Sequence, residues 1–169
     1  MFQTRCVQSN KLAQLGFTLM ELMVVMVIIG ILASVIGGSF VQSKLKSRDA
    51  QRKSDLSQVQ RALETYYNDH GEYPLASNDG KILGTPWGGV FQDTNTTVYM
   101  NQLPNDPKEP NIQFLYVTNT TKTMYQLFTV LENDKDEMIN TSIVGHTCGT
   151  TTCNYGVSST NTRPESAMN

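Results

Sequence analysis

Leu15-Gly16-Phe17-Thr18-Leu19-Met20-Glu21 leads directly into the apolar run Leu22 to Ile36, and the reading of this junction decides the fold. Between Phe17 and Val41 the single charged residue is Glu21. About 20 helical residues at 1.5 Å each cross a hydrocarbon core of ~30 Å, so residues 17–41 are predicted to form a membrane-spanning helix. A cleaved secretory signal fits less well. The apolar stretch exceeds the usual ~7 to 15 residues.

Past Gly37 and Gly38 the all-round apolar pattern becomes one-sided. Leu45, Leu56, Val59, Leu63 and Tyr66 recur at three- and four-residue steps, which predicts an amphipathic helix over 42–71. Lys44, Lys46, Arg48, Arg52, Lys53 and Arg61 are assigned to its polar face, and Asn68-Asp69-His70-Gly71 supplies the stop. The two stretches read as one continuous helix from about Phe17 to about His70.

The head is predicted over 72–153. Its first part, Glu72 to Pro110, is broken by five prolines and by Asn78-Asp79-Gly80 and Gly88-Gly89, so it reads as loop. Ile112 to Val117 and Thr123 to Leu131 are β-rich and read as an antiparallel hairpin, with Ile139 to Val144 as a weaker third strand. Residues 154–169, rich in Ser, Thr and Asn, read as a flexible tail. The fold class is therefore α+β, a long N-terminal helix on a small antiparallel sheet.

In a chain of 169 residues the membrane segment leaves about one hundred for a head. The net charge of −2 gives no sign of a nucleic-acid partner. Charge is unevenly placed: Lys44 to Lys53 holds five bases against Asp49, whereas Glu72 to Asn169 holds ten acids against five bases. Residues 1–16 form a basic leader with Arg5 and Lys11. With Cys6 in that leader, Cys148 and Cys153 remain as a pair whose disulfide would imply an oxidising compartment. Two free thiols, or half of a zinc site, are the other readings of the pair. No nucleophile, base and orienting group cluster together, so no enzyme is expected and no cofactor is implied.

Glu21 has two readings. It is a carboxylate at a helix N-terminus, favoured by the helix dipole. It is also an ionisable residue in a membrane segment, which by default seeks a partner. Cleavage between Gly16 and Phe17 would create one, because the new α-amine has an ordinary pKa of ~8 and is protonated at neutral pH. Two charges that are costly alone become tolerable as a pair.

Gly16-Phe17-Thr18-Leu19-Met20-Glu21 with the following apolar helix resembles the N-terminal signature of type IV prepilins and type II secretion pseudopilins. The resemblance extends through about residue 75. It implies a prepilin peptidase that cuts after Gly16 and methylates Phe17, and a Glu21 that neutralises a neighbouring subunit's amine during assembly. It also implies an assembly ATPase, a platform membrane protein, a helical homopolymer as the product, and storage in the bacterial inner membrane with the head outside the cytoplasm. Where many pilins carry a proline, this chain has Gly37-Gly38 after Gly30, which read either as a place of helix melting or as small residues for close packing. The loop Glu132 to Glu137 resembles in position the region where major pseudopilins bind calcium, which makes Glu132, Asp134, Asp136 and Glu137 weak calcium candidates.

The first expectation is a subunit of a type IV pilus-like filament, towards which the cysteine pair leans. The alternative is the major pseudopilin of a type II secretion system, towards which the acidic loop leans. A DNA- or surface-binding pilin is disfavoured by the acidic head. A bitopic protein with a cytosolic head is the rival that the positive-inside tendency supports, since Lys44 to Lys53 outweighs the leader.

Overall fold

The computed structural model describes residues 16–168, and the side chains of all of these except 35–39. Helix α1, Leu19–His70, is assigned without a break through Gly30, Gly37 and Gly38. The chain divides into two units between Phe40 and Val41.

In the first unit every large apolar side chain from Leu19 to Leu32 is exposed. Among the described residues no helix is long and apolar enough to cross a membrane. The described apolar side chains of this stretch run from Leu19 to Ala33, about 22 Å of helix against the ~30 Å required. The span expected over 17–41 is thus not reproduced within the described residues. In the sequence the apolar run continues through Val35 and Ile36.

In the second unit the C-terminal part of α1 lays Leu56, Val59 and Leu63 into the head, where they meet Phe114, Tyr116, Tyr125 and Leu127. The buried stripe on α1 is longer than its apolar part. Asp49 and Arg52, two and one steps ahead of Leu56 at helical spacing, are also buried. Arg52, assigned from the sequence to the polar face, therefore lies on the packed face. Gly71, at φ 71°, closes the helix with its N–H on the Tyr67 carbonyl.

β1 (Phe91–Gln92) and β2 (Val98–Met100) form a small ribbon within the proline-rich region. The main sheet contains β3 (Leu115–Thr118), β4 (Tyr125–Thr129) and β7 (Tyr155–Ser158), in the order β3-β4-β7 and antiparallel throughout. β4 is buried on both faces. Its Tyr125 and Leu127 face the α1 cluster, and Phe128 joins a second cluster with Ile112, Val130, Ile143, Cys148 and Cys153. β5 (Thr147–Cys148) and β6 (Thr151–Thr152) form the short hairpin that carries the cysteines.

Two expectations are corrected. Residues 139–144 form no strand: the Asn140 side chain accepts the Ser142 N–H at 2.9 Å, and the Asn140 N–H goes to the Asn154 carbonyl. The third strand comes instead from the segment expected as a flexible tail. Gly156 lies opposite Phe128, and a Cβ there would come within 2.7 Å of the ring, so only glycine fits. Beyond β7, the buried Gln126 side chain donates to the carbonyls of Arg163 and Ser166 at 2.6 and 2.8 Å, which fastens the segment to the sheet.

Candidate functional site

Gly16 and Phe17 precede α1 in irregular backbone and are exposed, Phe17 at 87%. Thr18 is the N-cap. Its hydroxyl accepts the Glu21 N–H at 3.2 Å, and its carbonyl accepts the Leu22 N–H. Thr18-x-x-Glu21 has the spacing of a capping box, a local signal that the sequence reading passed over. The Glu21 carboxyl group is thereby fixed in the first turn, exposed, with the helix N-terminus favouring its negative charge. The Gly16–Phe17 bond thus lies in exposed, irregular backbone one residue before the cap. Gly30 has nothing within 4 Å of where a Cβ would stand, so within this subunit it makes no close contact. Residues 1–15 of the leader, and the side-chain surroundings of Gly37 and Gly38, lie outside the described residues.

Three of the five bases in the cluster, Arg48, Arg52 and Lys53, are held in ion pairs. Arg48 grips Glu132 with Nε and Nη2, both at 2.7 Å. Arg52 is fully buried and holds Asp106 through Nε at 2.6 Å and Nη2 at 3.0 Å, while its Nη1 reaches Asp49 and Glu132, each at 2.8 Å. Lys108 completes the group on Glu132 at 2.6 Å. Asp49 in turn accepts the backbone N–H groups of Glu132 and Asn133 at 2.9 and 2.8 Å. Lys53 binds both oxygens of Asp136 at 2.7 Å. The hydrogen bonds from Arg48, joined by those of Lys108 and Arg52, hold the Glu132 carboxyl well below the usual carboxylate range despite its burial. Burial alone would lower the Arg52 pKa; bonds to Asp106 and Glu132 outweigh it and raise the pKa. Lys53 likewise depresses Asp136.

Arg48, Arg52 and Lys53 thus face acids of their own head, and the loop from Glu132 to Glu137 is pinned to α1. Calcium takes six to eight oxygens at 2.3–2.6 Å. The oxygens of Glu132 and Asp136 already accept from the chain's own cations, Asp134 and Glu137 stand exposed, and no three metal-binding side chains converge among the described residues. The candidate set does not fit the ion.

Cys148 and Cys153 are joined in a disulfide, both buried, across the β5–β6 hairpin. The hairpin is tied back to the segment before β3 by Gln113 N–H to Cys148 carbonyl and Thr150 N–H to Asn111 carbonyl. His146 stacks on Phe128 at 4.4 Å beside it, and burial lowers its pKa. Trp87 packs edge-on against Phe114, part of the core.

Residues 39–142 match the family described as Type II secretion system (T2SS), protein G, and residues 11–37 match the prokaryotic N-terminal methylation motif. The Type II secretion system core protein G of Vibrio cholerae is 34% identical over 103 residues, covering 60% of this chain and 70% of its own length. The protein of the same name from Pectobacterium carotovorum is 35% identical, covering 60% and 67%. That from Pseudomonas aeruginosa is 30% identical over 125 residues, covering 73% and 87%. No solved structure matches.

Proposed function

This chain belongs to the Type II secretion system protein G family, and we propose that it acts there as the major pseudopilin, the repeating subunit of a filament that helps move folded proteins out of the cell. The observation that carries this reading is the match over residues 39–142 joined to the methylation motif over 11–37 on one chain. The exposed Gly16-Phe17 junction ahead of a capped helix supports processing by a prepilin peptidase, with methylation of the new terminus. The bare apolar surface of α1 between Leu19 and Leu32 supports storage in the inner membrane and burial among sister helices in the filament. Glu21 then pairs with the amine of a neighbouring Phe17. A partner ATPase and a platform protein drive assembly, and the subunit's own role is structural, without catalysis.

The surface-pilus reading gives way to this alternative. The cysteine pair had favoured it, but every relative named above carries the protein G name. Against the reading with a cytosolic head, which rests on the positive-inside tendency, the methylation motif over 11–37 on the same chain as the protein G match supports a head outside the cytoplasm. In the host, a chromosomal Glu21→Ala substitution is expected to leave a stable membrane protein, abolish sedimentable filaments and stop export of secreted enzymes. Normal filaments would refute the pairing role. Loss of surface pili with export intact would refute the secretion role.

A further inference from the structure

We propose that the chain's own cations take the place of a divalent metal at the corner where α1 meets the loops at 104–110 and 131–137, so that this subunit folds and holds its shape without calcium. The inference rests on the geometry of that corner and not on the secretion reading. Arg48, Arg52 and Lys108 meet Asp49, Asp106 and Glu132 there, three positive groups against three negative ones, and Lys53 with Asp136 adds a balanced pair. Each oxygen of Glu132 is shared by two cationic donors, and Asp49 and Asp106 spend their oxygens on Arg52 and on backbone N–H groups. An entering cation would have to displace a guanidinium that is wholly buried and always charged, or sit beside it at a like-charge distance. Tying the loops to the helix by neutralising converging carboxylates, which a divalent ion could do, is already done by these side chains. Arg52 and Glu132 bridge α1 to both loops at once.

The test uses the full-length chain in detergent, with unfolding followed through its one tryptophan, Trp87. Calcium chloride and EDTA should give the same Tm, and titration with calcium should give no saturable binding heat. A calcium-dependent rise in Tm, or stoichiometric binding, overturns the proposal. The double variant Arg48→Met/Lys53→Met, at two half-buried positions, should lower Tm by several degrees; the single variant Lys53→Met serves if the double one does not fold. A Tm equal to that of the unaltered chain would show that the cations do not hold the corner, and would overturn the proposal equally.

Discussion

Replacing Arg52 by Met keeps most of the side-chain volume and removes the charge, leaving Asp49, Asp106 and Glu132 facing one another without the guanidinium that joins them. Two of these carboxylates are buried, and Glu132 is nearly so. Removing one partner from a buried ionic group costs about 3–5 kcal/mol, because the remaining charge is stranded out of water. Against a total stability of roughly 5–15 kcal/mol that is a large share. For a chain of this size each kcal/mol moves Tm by about 2–4 °C, so the expected fall is roughly 6–20 °C. Arg52→Lys should fall between the two, since it keeps the charge but not the fork that holds Asp106. Arg61→Met is the control: Arg61 is exposed and donates to the Ser57 hydroxyl one turn back, so its loss should stay within about 0.5 kcal/mol. Thermal unfolding of the full chain in detergent reads all three. The loss in Arg52→Met should persist in high salt, because a buried network is weakly screened. A Tm for Arg52→Met no lower than that of Arg61→Met would mean that the buried guanidinium does not hold the three carboxylates together.

The pH dependence follows from groups with shifted pKa values. Glu132 and Asp136 are held below their unfolded values, so their stabilisation is present above about pH 4.5 and is lost as pH falls below it, which acid titration of Tm should show as a decline starting there. Burial raises Tyr116, Tyr125 and Tyr73, so their contribution is complete below pH ~10 and is lost as pH rises beyond it; tyrosinate absorbance should then appear together with unfolding and not before. Reducing the disulfide, or Cys148→Ser/Cys153→Ser, should cost about 2 kcal/mol for a loop this short, measured as a lower Tm in reductant with α1 helicity by circular dichroism retained.

The helix was legible because it is written in a local period, three to four residues for Leu56, Val59 and Leu63, and the β3–β4 hairpin because the runs at 112–117 and 123–131 are β-rich in composition. β7 was not. Tyr155-Gly156-Val157-Ser158 lacks a β-rich composition, and it becomes a strand through pairing with β4 and through the clasp of Asn154 on both the N–H and the carbonyl of Leu131. Residues 139–144 misled in the opposite direction, since Ile139, Thr141, Ile143 and Val144 favour strands while Asn140 turns the backbone with its own side chain. At the site, Gly16, Phe17 and Glu21 stood out because a lone carboxylate opening an apolar run is conspicuous. Arg52 was hidden by its chemistry: its spacing from Leu56 and Val59 placed it on the buried stripe, but a guanidinium is assigned to water until its acids, 54 and 80 residues away, are known.

If the chain is cut between Gly16 and Phe17 and assembled from there, mass spectrometry of the N-terminal peptide from membrane-extracted and filament material will read the cut. A chain that begins at N-methylated Phe17 is expected. A chain that begins at Met1, or one that begins beyond residue 41, would contradict it.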